Sequence, residues 1–373
     1  VYYYAWWLPV AGLVKVFHLS HDVADALLLV YTVLYVFLIF YCLSNIIKKK
    51  SYVMLSALIF FGGFDFWVSV LEGFPSLMTK DFPLPMIPLD IEWWANRFSY
   101  SSNTAQLFNV FNSSLPIWML VCLLILLPGN RIRAALGSLA FAYSPFGTVA
   151  MVFIVLTDFI GKKNNKFGER IKEIFTPENL IIPIMMLVVF GGFYLRVNFG
   201  KTSTDGLIFK VYPEKRTFTL FIIFLLVEVW VYFLAIGKRA QECKFYWVTL
   251  IGLSLIPLWK VGAANDWSLK VSVPLLFLLM IMMVDSYYRA KQKKQRYIIL
   301  AVLIMGFMTS AMEFKRNIHG TLNIPEAEYI HSEYNTFKYL GSDSEDRDSF
   351  FGGQYLVPEK EGFWLKYIGV LSR

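Results

Sequence analysis

Asp90, Ile91, Glu92, Trp93, Trp94 and Arg97 place two acids, two indoles and a guanidinium within eight residues. Carboxylates beside flat aromatic faces suit carbohydrate. Sugar C–H faces pack on rings, hydroxyls bond to acids and amides, and a carboxylate can take the proton of an attacking hydroxyl. Asp90 and Glu92 are therefore the candidate catalytic bases, with Trp93, Trp94 and Arg97 as candidate substrate contacts. The competing reading makes the indoles interfacial anchors and leaves the acids solvated. Just downstream, Tyr100, Asn103 and Gln106 belong to a run of small polar groups that continues through Asn109 and Asn112. Its amides either bind sugar hydroxyls or join neighbouring helices, because buried amides need partners.

A second group lies far along the chain. Asn265 and Asp266 precede Trp267 and Lys270, and Lys260 stands just before them. Asn265 and Asp266 join the candidate substrate contacts. Lys260, Lys270 and Arg196 could hold the phosphate of a membrane lipid without a glycine-rich nucleotide loop. The alternative is lysines reaching toward headgroups, with an Asp266–Lys270 pair one helical turn apart. Asp65, beside Gly62 and Gly63, and Glu228, in the middle of an apolar stretch, are costly positions for acids and hence further functional candidates. His18, His21, Asp22 and Asp25 form a histidine–acid string, but helical His ligands more often need i,i+4 spacing and a third ligand. No cofactor is expected, and a divalent metal is compatible with the residues but not indicated. Walker, nucleophile-elbow and zinc-protease patterns are absent from the sequence.

The elements that must position these groups are membrane-length. Apolar residues make up 57% of 373 and mean hydropathy is +0.53, with repeated apolar runs of about 20 residues. The sequence predicts an all-α, polytopic transmembrane helical bundle with outer-face loops. The formal charge of +8 comes from short basic clusters between apolar blocks, which encode topology and not nucleic-acid binding. Cys42, Cys122 and Cys243 have neither metal spacing nor a disulfide framework. The opening Val-Tyr-Tyr-Tyr-Ala-Trp-Trp lacks an initiator Met and a leader pattern, so residues upstream of Val1 are expected.

Predicted spans are 23–47, 52–71, 104–127, 178–195, 217–237, 245–259, 271–285 and 297–313, with a short apolar segment at 1–17. Gly62 and Gly63 allow close packing or a local break. Residues 134–160 read as two short helices turning at Ser144-Pro145, because basic clusters flank both ends. Thr176-Pro177-Glu178 reads as a capped helix start. Of the Lys and Arg residues, 18 fall on segments assigned inside, 10 on short outer segments and 7 in the tail. One orientation satisfies every block. It puts the outer loop 72–103 and the C-terminus outside, dividing the chain into a membrane domain, 1–313, and a small extracytoplasmic cap, 314–373.

Five strings carry a resemblance: YYYAWWLP at 2–9, IEWWANRFSYSSNTAQLFNVFNSSLPIWML at 91–120, YSPFGTVAM at 143–151, NDWSLKVSVPLLFLL at 265–279 and RDSFFGGQYL at 347–356. In these the chain resembles polytopic bacterial glycosyltransferases of the GT-C superfamily. The resemblance implies a GT-C-like bundle in the bacterial cytoplasmic membrane. It implies transfer of a sugar from a polyprenyl-phosphate donor to an envelope glycan, lipid or protein acceptor on the outer face. The family's usual catalytic acid lies on the first outer loop, a region expected to precede Val1. Either the catalytic acid lies in that upstream region, or Asp90, Glu92 or Asp266 takes its place, or the scaffold has lost the reaction. A transporter or lipid flippase, with Asp65, Glu228 and broken helices lining a path, is the alternative. A non-catalytic partner in envelope-glycan assembly is a third.

Overall fold

The computed structural model describes residues 4–77, 91–95, 98–127, 131–160, 175–191, 194, 205–237, 241, 243–261 and 265–322. It is almost entirely helical. In chain order the first helices are α1 (Leu8–Phe17), α2 (His21–Ile47), α3 (Tyr52–Phe60), α4 (Asp65–Leu77), α5 (Asn103–Asn109) and α6 (Phe111–Leu126). They are followed by α7 (Arg133–Tyr143), α8 (Pro145–Ile160), α9 (Pro177–Met186) and α10 (Ile208–Val211). The remainder are α11 (Lys215–Ile236), α12 (Tyr246–Leu255), α13 (Asp266–Val271), α14 (Val273–Arg289) and α15 (Lys293–Leu322). Among the described residues, a two-residue antiparallel pairing of Gly206–Leu207 with Trp259–Lys260 is the exception to the helical rule.

Among the described residues, three helices are long and apolar enough to cross a membrane: Asp22–Ile47, Lys215–Ile236 and Lys293–His319. A fourth crossing results if α3 and the first part of α4, bent by 61° at their break, count as one. The first of these helices leaves large apolar side chains uncovered, with Leu29 65% and Phe37 64% exposed. In water such a stripe would be costly; against lipid it is the expected surface. The hub is α14, whose residues Val273 through Val284 are all buried. A helix apolar on every side belongs in the middle. Trp118 of α6 stacks on Phe277 of α14, with ring centroids 5.1 Å apart and planes 7° from parallel.

The break between α3 and α4 is where Gly62 and Gly63 allow it. Gly62 meets Ser102 and Ser310 so closely that a Cβ would lie 2.9 Å from each. The Ser144-Pro145 turn also forms as expected: Arg133 Nε at the start of α7 lies 2.9 Å from Asp158 Oδ2 near the end of α8. Both ends of the hairpin therefore meet, and Lys244 pairs with the same carboxylate. Thr176 caps α9, its hydroxyl accepting from the Asn179 amide at 3.3 Å.

Several predicted boundaries are corrected. The span expected at 104–127 is two helices, because Val110 leaves the helical region with φ −141°. The segment expected at 178–195 is α9 continuing as a π-helical turn over Leu187–Gly191. The stretch 217–237 carries a π turn at Leu226–Trp230, and 245–259 ends in a 3-10 turn over Ile256–Leu258. The last helix overruns its expected end at 313 and reaches Leu322. The proposed cap beyond 322 lies outside the described residues.

Asn103 shows how the polar run is used. Its amide nitrogen donates to the Leu58 carbonyl at 2.9 Å and approaches Met280 Sδ at 3.6 Å. Its backbone N–H donates to the Phe61 carbonyl at 2.7 Å. This side chain joins α5 to α3. Asn103→Ala should lower stability by about 1–3 kcal/mol, the usual cost of stranding a buried polar partner. Thermal unfolding in detergent would check it, and an unchanged midpoint would sink the assignment.

Candidate functional site

The segment before α5 enters the helical core. It includes the 3-10 turn Ile91–Trp93, and Glu92, Phe98, Ser99, Tyr100 and Ser102 are all buried. Irregular backbone at such depth requires internal partners. Ser102 N–H donates to Glu92 Oε1 at 2.9 Å, Ser268 Oγ to the Ser99 carbonyl at 3.2 Å, and Tyr100 Oη to the Leu253 carbonyl at 2.6 Å. Gln106 Nε2 donates to the Ser101 carbonyl at 2.8 Å. The segment thus ends against the gap between α3 and α4.

Four acids gather there: Asp65, Glu92, Glu228 and Glu313, each no more than 3% exposed. Asp65 Oδ1 accepts from Trp94 Nε1 at 2.9 Å. Glu228 Oε1 accepts from the Phe64 amide at 3.0 Å, and its carboxylate fills the space a Cβ on Gly63 would need. Asp65 and Glu228 interact carboxyl to carboxyl. Asp65 Oδ2 is buried without a hydrogen-bond partner. Glu313 is paired with Arg316 at 2.5 Å.

Glu92 feels its surroundings strongly. Burial pushes its carboxyl well above the ordinary value of 4.5, the charges of Asp65 and Glu313 push the same way, and the Ser102 hydroxyl and amide pull back. A carboxyl tuned upward is suited to proton transfer near neutral pH. Beside the cluster, Tyr100, Ser101, Gly62, Gly63, Glu228, Tyr232 and the wall residues Phe61 and Leu276 enclose a cavity of about 10 Å³, roughly the room one water needs. Ser99 Oγ, Gln106 Oε1 and Ser310 Oγ are buried without hydrogen-bond partners. Orphaned polar atoms at this density suit a polar guest or ordered water.

Glu92, Trp94, Tyr100, Asn103 and Gln106 are therefore brought together around the break. Asn103 is committed to helix joining, and Gln106 keeps one buried acceptor open. Trp93 contributes its backbone to the 3-10 turn. Asp90, Arg97 and Arg196 lie outside the described residues. The second group is gathered elsewhere: α13 packs on the Trp259–Lys260 strand, and Ser268 ties it to the polar segment through Ser99. Asn265 caps α13, Asp266 pairs with Lys270 at 2.6 Å, and Lys260 lies 5.9 Å from the Tyr212 ring centre. Lys260 and Lys270 are buried, 7% and 8% exposed. The expected one-turn ion pair is present, and it occupies Lys270.

Sequence reading missed Glu313, which looked like the flank of a finished span, and Tyr232, whose hydroxyl donates to the Gly62 carbonyl. The spacing of Glu228 and Tyr232, one turn apart, was the available signal. Among the described residues, no group of three or more His, Cys, Asp and Glu side chains has metal-holding geometry.

Because folded Glu92 binds its proton more tightly than the unfolded chain does, its contribution to stability falls as pH rises above about 4.5 and continues falling until the folded carboxyl ionises. The melting temperature should decline through that window, and Glu92→Gln should flatten the decline. Equal slopes in both proteins would refute the buried, elevated carboxyl. No protein-family model, curated protein or solved structure matches the chain.

Proposed function

We propose that the protein is an integral membrane glycosyltransferase with a GT-C-like bundle, moving a sugar from a polyprenyl-phosphate donor to an acceptor hydroxyl. The observation that carries this reading is Glu92: a buried carboxyl on an aromatic segment that enters the helical core, beside orphaned polar atoms. In the reaction Glu92 takes the hydroxyl proton, the acceptor oxygen bonds to the anomeric carbon, and the bond from that carbon to the phosphate oxygen breaks. The phosphate leaves with its electron pair. Trp94, Tyr100 and Gln106 would hold the sugar. Arg196, Lys260 and Lys270 would receive the leaving phosphate, with Lys270 turning from Asp266 to do so. Asp90 is the alternative base. The active face is extracytoplasmic in the orientation that the basic clusters favour.

One observation favours a second reading. The Asp65–Glu228 contact joins two membrane-length elements that are both irregular, one at the α3–α4 break and one at the π turn of α11. Interrupted helices bearing paired acids are what a proton-coupled transporter uses.

Membranes containing the full-length protein, given a panel of polyprenyl-phosphate sugars, should modify an acceptor detectable by mass spectrometry. Glu92→Gln should reduce turnover about 10²–10⁴-fold, the usual contribution of a general base, while Asp90→Asn should leave it near wild type. Full activity in both variants would dismiss both acids as the base. No turnover together with substrate-dependent proton movement in proteoliposomes would establish the transporter instead.

A further inference from the structure

The larger cavity beside α14 measures about 400 Å³ and runs along Leu278 to Arg289, away from the acids. The smaller one, at the α3–α4 break, has the sharper chemistry. Its volume of about 10 Å³ is bounded in part by Gly62, Gly63, Ser101 and Glu228, and it admits one body the size of a water molecule. Two local irregularities bring Glu228 to it. The π turn at Leu226–Trp230 carries the residue, and Gly63 gives its carboxyl space, since a Cβ there would overlap Glu228 Oε2.

Two carboxyl groups meet at this point without a basic side chain between them. Asp65 and Glu228 contact one another, while Asp65 also accepts from the Trp94 indole and Glu228 from the Phe64 amide. Among the described residues, neither carboxyl meets a Lys or Arg side chain. Asp65 Oδ2 is buried without a hydrogen-bond partner. A second sign comes independently from α15. Ser310 is 0% exposed, its hydroxyl oxygen would lie 2.9 Å from a Cβ on Gly62, and that oxygen has no partner. The main chain adds further oxygens: the Gly62 and Gly63 carbonyls accept from Tyr232 and Thr309, and each carbonyl has two lone pairs.

We infer that the break binds one sodium ion, held by the Asp65 and Glu228 carboxylates with neutral oxygens from Gly62 and Ser310 in its shell. An all-oxygen set, without sulfur or imidazole, disfavours the softer transition metals. Ca²⁺ takes roughly 6–8 oxygens and Mg²⁺ keeps several waters, which is more than a space for one water accommodates. Carbonyls released where a membrane helix is interrupted are suited to coordinating sodium. A cation between the two carboxylates turns their repulsion into attraction in a medium of low dielectric. The inference rests on neither reading of the function, because binding is measured without turnover or transport and either can fail alone.

The full-length protein, purified in detergent, is equilibrated with radioactive sodium at fixed pH and ionic strength, with choline as the replacement cation, and bound label is counted. Wild type should show a single saturable site, displaced by unlabelled sodium but not by an equal concentration of potassium or calcium. Near-saturating sodium should raise the melting temperature by about 4 °C over choline. Asp65→Asn and Glu228→Gln should each weaken binding about ten-fold or more, and Ser310→Ala roughly three-fold. Gel filtration checks that each variant is folded. Ser310→Ala leaves both carboxylates in place, so it keeps the test decisive if loss of an acid unfolds the chain. Absence of saturable sodium binding in wild type would overturn the site, as would undiminished binding in folded Asp65→Asn and Glu228→Gln or in Ser310→Ala. Equal melting in sodium and choline would overturn it too. Equal displacement by potassium or calcium would overturn the assignment to sodium.

Discussion

A helix interrupted in an apolar interior leaves backbone carbonyls and amides that must find partners, and the α3–α4 break sets the arrangement around it. Phe61 gives its carbonyl to the Asn103 amide, Gly62 to the Tyr232 hydroxyl and Gly63 to Thr309 Oγ1. Phe64 and Phe66 give their amides to Glu228 and Thr309. The partners come from α5, α11 and α15, so one missing helical turn fixes three other elements. It also explains the close approach of α15, where Gly306 leaves no space for a Cβ beside Gly62 and Tyr232.

The same break gives the acids their place. Taking a carboxylate out of water costs several kcal/mol, and only specific contacts offset it. Glu228 has the Phe64 amide, Asp65 the Trp94 indole, Glu92 the Ser102 amide and Glu313 the Arg316 guanidinium. Each acid thus has one strong partner and remains close to another carboxyl.

Much of this was legible in residue types. Gly62-Gly63 signalled the break, Ser144-Pro145 the hairpin and Thr176-Pro177 the start of α9, because each acts on its own backbone. Asp65 and Glu228 stood out since ionisable groups inside apolar stretches are rare. Their meeting was not legible, since it depends on helices 164 residues apart from Phe64 to Glu228. The polar run at 100–106 was readable as buried, but its division of labour was not. Asn103 ties helices together, whereas Gln106 keeps a free acceptor, and only tertiary packing separates the two. Glu313 was hidden by a helix that extends farther than hydropathy suggests, since its last turns carry Lys315 and Arg316.

The packing of α14 bears on the choice between enzyme and transporter. Leu276 borders the small cavity beside the acids, and Leu278 to Arg289 line the large one. Between and behind them stand Phe277, Leu279, Met280 and Met283, all buried to within 1%, with Trp118 stacked on Phe277 and Asn103 against Met280. Joining the two cavities would require this dense layer to part, and close-packed interiors resist that by several side-chain burials of about 1.5–3 kcal/mol each. A catalytic site needs no such passage, because donor and acceptor meet and leave on one side. The solid middle of α14 therefore keeps the acid cluster apart from the recess at its far end.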